Sequence, residues 1–165
     1  MRTLSGTKTY VGDKLFATLD PLTRRVNLTN DRTILLNDTV GFIQKLPTQL
    51  VVSFRATLEE LEEASLLIHV VDISHPQALI QAEIVDSTLE ELGLQERPRV
   101  TVLNKIDLLT DSNGEVVNSE ELARELLSYA GQPPTSICAI SAETGWGLEK
   151  LRSKLEFYLE NEKQY

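Results

Sequence analysis

The chain has 165 residues, 41% of them apolar and 25% charged, with a net charge of -9. That length suits a single domain with a real core. The acidic balance excludes a surface built to neutralise a nucleic-acid backbone, though not a local docking patch.

No apolar run approaches the roughly 18 residues of a membrane span, and no signal peptide opens the chain. The single cysteine, Cys138, lies in an apolar run and cannot form an internal disulfide, as expected of a reduced core thiol in a cytoplasmic protein. Short apolar runs alternate with helical patterns, which predicts a three-layer α/β fold, a mostly parallel sheet flanked by helices. The chain opens on a helix-like stretch, Met1 to Leu4, with no strand before it. A weak strand near Arg25 to Leu28 and the turn Asn30-Asp31 lead into the strand Thr33 to Asn37. Leu50, Phe54, Leu58 and Leu61 line one helical face. Leu66 to Val71, ending at Asp72, reads as a strand buried on both faces. Ala78, Ala82, Val85, Leu89 and Leu92 form the next helical face, with Ser74 as N-cap and Pro76 in the first turn. Val100 to Leu103 is a strand ending at Asn104. Asn118, with Glu121 three residues on, predicts a capped helix. Ser136 to Ile140 is the last strand, and Leu148, Leu151, Leu155 and Leu159 form the last helical face. Residues 1–160 read as one domain, and 161–165 as a fraying acidic tail.

Ligands of open α/β sheets bind where loops leave the carboxyl ends of the strands, and polar signals sit there. Asn104-Lys105-Ile106-Asp107 follows one strand. The Asp107 carboxylate can accept two parallel hydrogen bonds from N1 and the 2-amino group of guanine. Adenine offers an acceptor at N1 and would leave the carboxylate unpaired. Lys105 can lay its stem over the base, and Asn104 can tie neighbouring loops together. Asp38-Thr39-Val40-Gly41-Phe42 follows the earlier strand: its acid suits a water on a magnesium ion, and its glycine a close approach to a terminal phosphate. Ser141-Ala142-Glu143-Thr144-Gly145 follows the last strand, where the amides of Ser141 and Ala142 can face the guanine O6.

In this order the three segments match the G3, G4 and G5 motifs of translation-factor-like GTPases. The chain further resembles the HflX family of ribosome-associated GTPases through Lys14-Leu15-Phe16-Ala17-Thr18-Leu19-Asp20-Pro21, Thr23-Arg24-Arg25, the DTVGFI run, Leu46-Pro47, His69-Val70-Val71-Asp72 and Ser74-His75-Pro76. The resemblance implies a P-loop GTPase-like fold binding GTP or GDP with Mg2+. It makes Thr18 the switch threonine that ligates magnesium and senses the γ-phosphate, Asp38 the magnesium-water residue and Gly41 the γ-phosphate contact. It also implies that the intact family member works on the large ribosomal subunit.

One departure qualifies this. The sequence has no G-x-x-x-x-G-K-[ST] run, the loop that cradles the phosphates in such enzymes. Gly6 to Lys14 imitates it poorly, with five residues between its glycines and Asp13 after the second. The expectation is a partial G domain lacking the first strand and P-loop, hydrolytically weak in isolation. Phe42 stands where a Ras-type glutamine would orient water, and no hydrolytic base is identified. The alternative is a non-catalytic interaction module on the same fold, against which the intact NKID, Thr18 and Asp38 speak. His69 reads as a core residue, His75 as solvated and Trp146 as packing.

Overall fold

A computed structural model describes residues 4, 22–28, 32–38, 61–129 and 137–161. The chain divides into two compact units, Met1–Ala64 and Ser65–Tyr165.

In the first unit, β1 (Leu22–Asn27) and β2 (Thr33–Asp38) pair antiparallel, with Leu22 opposite Asp38 and Asn27 opposite Thr33. Period-two alternation sets the faces: Val26 is buried between exposed Arg25 and Asn27, and Ile34, Leu36 and Asp38 share the half-buried face of β2. The Leu28 amide donates to the Arg32 carbonyl at 2.8 Å, closing the hairpin end. The expected strand here is longer than the sequence pattern suggested, beginning at Leu22. Of the expected helical face, Leu50, Phe54 and Leu58 lie outside the described residues, as does the Asn30-Asp31 turn, while residues 61–63, with Leu61, are helical.

The second unit is a parallel three-stranded sheet in the order β3 (Leu67–Asp72), β4 (Arg99–Asn104), β5 (Ile137–Ala139), flanked by helices. Among the described residues its α-helices are α1 (Ala78–Glu91), α2 (Glu120–Tyr129) and α3 (Leu148–Asn161). The central strand supplies Val100 and Val102 to the core, with Leu67, Val71, Cys138, Leu151 and Leu155 also buried. Burial pushes the Cys138 thiol up from its ordinary value, which keeps it protonated and unreactive. The apolar faces read from the sequence hold for α1, where Ala78 and Leu89 are buried, and for α3, where Leu151 and Leu155 are buried. After α1, Gly93 takes φ +71° while the Leu94 amide reaches the Leu89 carbonyl at 2.8 Å, so a left-handed glycine ends the helix.

Two expected caps differ. Ser74 does not cap α1: its hydroxyl donates to Asp72 at 2.6 Å, and Gln77 occupies the cap without a side-chain bond. Ser119, not Asn118, caps α2 by accepting the Leu122 amide at 3.2 Å. The last helix also runs on to Asn161, beyond the expected start of fraying.

Candidate functional site

Because β3, β4 and β5 are parallel neighbours, the turns leaving their carboxyl ends lie side by side. The backbone laces them. The Ile73 amide, after β3, donates to the Asn104 carbonyl at 3.1 Å, and the Ile106 amide, after β4, donates to the Ile140 carbonyl at 3.2 Å. Side chains add a second lacing. Asn104 Oδ1 accepts the Ala142 amide at 3.0 Å, and Lys105 Nζ meets Asp72 Oδ2 at 2.7 Å. The turn carrying Asn104, Lys105 and Asp107 is therefore held from both sides.

Asp107 sits in a short 3-10 turn, Ile106–Leu108, whose first residue is fully buried. Ile106 packs with Val117 and Ala123, so the turn is anchored in the core beneath it. Asp107 Oδ1 is buried and has no hydrogen-bond partner among the described residues. Leaving such an acceptor unpaired costs roughly 1–3 kcal/mol, and more for a charged group. A ligand bringing N–H donors to this oxygen would recover that cost.

The turn after β5 is ordered from within. Ser141 is fully buried, its Oγ accepting the Thr144 amide at 3.1 Å and its own amide donating to the Trp146 carbonyl at 3.0 Å. The amides of Ser141 and Ala142, expected to face a base, thus both have partners within the chain. The turn hands over to α3 at Gly147, whose amide donates to Glu120 Oε2 at 3.2 Å.

Sequence reasoning missed Asp72 and Ser74 as parts of this lacing. Asp72 Oδ1 accepts both the amide and the hydroxyl of Ser74, at 3.1 and 2.6 Å. Burial pushes the Asp72 carboxyl up, but the hydrogen bonds from Lys105 and Ser74 outweigh it and hold the group below its ordinary range. The signal was present: an acid at a strand end with a serine two residues on is an Asx-turn pattern. Asp38 ends β2, half-buried, in the first unit, and Thr18 and Gly41 lie outside the described residues.

Residues 1–105 match the model of a family described as 50S ribosome-binding GTPase. The chain belongs to that family, in its HflX branch. The HflX-family chain is 43% identical over 159 residues to a GTPase HflX of Lacrimispora saccharolytica, covering 93% of this chain and 33% of that protein. It is 38% identical over 155 residues to GTPase HflX of Escherichia coli, covering 94% and 34%. It thus spans about a third of the length of these curated relatives. Among solved structures it resembles a GTP-binding protein of Sulfolobus solfataricus in complex with GDP, with a TM-score of 0.65 and 29% identity over 95% of this chain and 46% of that one. A probable GTP-binding protein engB shares the fold, with a TM-score of 0.57 at 17% identity. The fold is the α/β fold of P-loop GTPases.

Proposed function

We propose that this HflX-family chain is a partial G domain that reads guanine with the turns after β4 and β5. The observation that carries the reading is the desolvated Oδ1 of Asp107, without a partner among the described residues, on a turn braced from both sides. Guanine offers two parallel donors, N1–H and the 2-amino group, to one carboxylate. Adenine would leave the charge unpaired, the kind of mismatch that buried polar sites reject strongly. Asn104 braces the turn and Lys105 supplies an aliphatic stem for the base. Ser141 and Ala142 shape the neighbouring loop, where the Ala142 amide reaches O6 only by sharing or leaving Asn104. The GDP held by the Sulfolobus relative supports the same ligand class.

Mg2+ would accompany the nucleotide. The half-buried carboxylate of Asp38 is a hard oxygen donor that suits a magnesium-bound water, with the Thr18 hydroxyl as a direct ligand. Among the described residues, no group of three or more His, Cys, Asp or Glu side chains is placed to hold a metal ion. Gly41 would contact the γ-phosphate.

These 165 residues contain no G-x-x-x-x-G-K-[ST] run. Charge-assisted bonds of about 1.5–3 kcal/mol each are then missing from the phosphates, so we infer weak binding and little hydrolysis by this chain in isolation. In the whole protein the domain would act as a cytoplasmic nucleotide switch on the large ribosomal subunit, in keeping with the family description.

Trp146 is the single tryptophan and lies beside the candidate loop, so its fluorescence can follow titration with GDP, ADP or XDP and Mg2+. GDP is expected to bind more tightly than ADP. In Asp107→Asn, the side-chain amide offers a donor suited to the 2-oxo group of xanthine. GDP affinity should fall at least about tenfold, and XDP should become the preferred ligand. Equal responses to GDP and ADP in the unsubstituted chain would overturn the guanine reading and favour an interaction module.

A further inference from the structure

Lys105 is the one non-glycine residue with positive φ, +67°, among the described residues. Left-handed backbone costs a residue with a Cβ roughly 1–2 kcal/mol and persists where its surroundings over-determine it. The backbone surroundings are the Ile73–Asn104 and Ile106–Ile140 bonds on either flank. The side chain is fixed as well: its Nζ meets Asp72 Oδ2 at 2.7 Å, while Asp72 Oδ1 is gripped by the hydroxyl and amide of Ser74. Asp72 stands opposite Asn104 in the β3–β4 register, so the lysine stem reaches from the turn after β4 toward the turn after β3.

Stability does not explain this arrangement. The ammonium-bearing side chain is 49% exposed and the carboxylate side chain 33%, and exposed ion pairs contribute at most about 1 kcal/mol. What the pair does is remove rotamer freedom. A free lysine has four rotatable bonds to order when it meets a ligand, at a cost of about 0.5–1.5 kcal/mol. A tethered lysine presents its methylenes already extended beside the turn that carries Asp107.

We propose that Asp72, braced by Ser74, is a positioning residue of the guanine site, holding the Lys105 stem as a preformed apolar shelf for the purine ring. The proposal rests on the guanine reading. It assigns Asp72 no contact with the nucleotide, since it acts only through Lys105.

The test is a GDP titration of the isotope-labelled 165-residue chain by NMR, which reads millimolar affinities, with ADP in parallel. In the unsubstituted chain, nuclear Overhauser contacts are expected between the Lys105 methylenes and guanine H8. In Asp72→Asn those contacts should vanish and the GDP dissociation constant should rise about tenfold, the upper end for re-ordering one lysine. The melting midpoint should fall by only a few degrees, as the loss of one largely exposed ion pair allows. Asp72→Glu, which keeps the carboxylate, should restore part of the affinity, and Ser74→Ala should lose less than Asp72→Asn does. Unchanged affinity and retained contacts in Asp72→Asn would overturn the proposal. So would a loss of GDP affinity that follows the melting midpoint alone, with no rescue in Asp72→Glu. If the unsubstituted chain does not prefer GDP, the guanine reading itself fails and takes this proposal with it. Slow exchange of the Lys105 ammonium protons, lost in Asp72→Asn, would then still report the ion pair separately. Should Asp72→Asn fail to fold, Ser74→Ala carries the same contact and affinity readings.

Discussion

Asn104 commits its side-chain oxygen to the amide of Ala142, 38 residues away, at 3.0 Å. The neighbouring carbonyls are engaged in the backbone lacing, Asn104 O receiving Ile73 and Ile140 O receiving Ile106, and the side chain adds a separate acceptor. Asn104→Ala should destabilise the chain by about 1 kcal/mol, the net worth of a half-buried hydrogen bond, measured as a lowered urea midpoint. Asn104→Asp keeps the acceptor and should cost less. That Asn104 ties loops together was legible in the sequence, because a polar residue at a strand end has few other uses. The engagement of the Ser141 and Ala142 amides was not, since it depends on which carbonyls the fold brings near. The turn of Asp72 with Ser74 had a sequence signal, but the pairing of Asp72 with Lys105 did not, since it follows from strand register, which a single sequence does not reveal.

Elements were easier to read than their ends. The faces of α1 and α3 follow from helical spacing alone, and the three parallel strands from short apolar runs bounded by polar residues. Caps misled because several capping residues crowd each helix start. Asn118 and Ser119 compete for α2 and geometry selects the serine, whereas Ser74 is drawn away by the carboxylate of Asp72. The entry to α3 is tightly constrained. Gly147 has φ +72°, and a Cβ built there would lie 2.2 Å from the Ala139 carbonyl oxygen. The clash is with backbone and cannot be relieved by a rotamer change. Gly147→Ala should therefore cost about 3 kcal/mol or more in denaturant unfolding. Gly145 makes the control: it has φ +89° but nothing within 4 Å of a built Cβ, so Gly145→Ala should cost only about 1–2 kcal/mol.

Across the molecule, acid should weaken the fold in two steps. Burial first, then the Arg99 guanidinium, hold the His69 pKa below its ordinary value of 6.5, against the opposing pull of Asp86. The unfolded chain then binds more protons than the folded one just below that value, so stability falls as pH drops from about 6.5. Asp72 is likewise depressed, from an ordinary value of 3.8, and its contribution is lost as pH falls further, through about 4 toward its folded value. Urea midpoints across this range should show both declines, and His69→Gln should flatten the upper one alone. The sheet that carries these groups has a further consequence, in time. Its ladders join Leu67 to Arg99 and Thr101 to Ile137, and no hairpin brings either pair together. Each pairing must wait for a long loop to close, which places parallel sheets toward the slow, millisecond-to-second end of domain folding. The turns after β3, β4 and β5 are laced only once those ladders exist, so a growing chain gains the surface proposed to read the base all at once, and only after β5 is made.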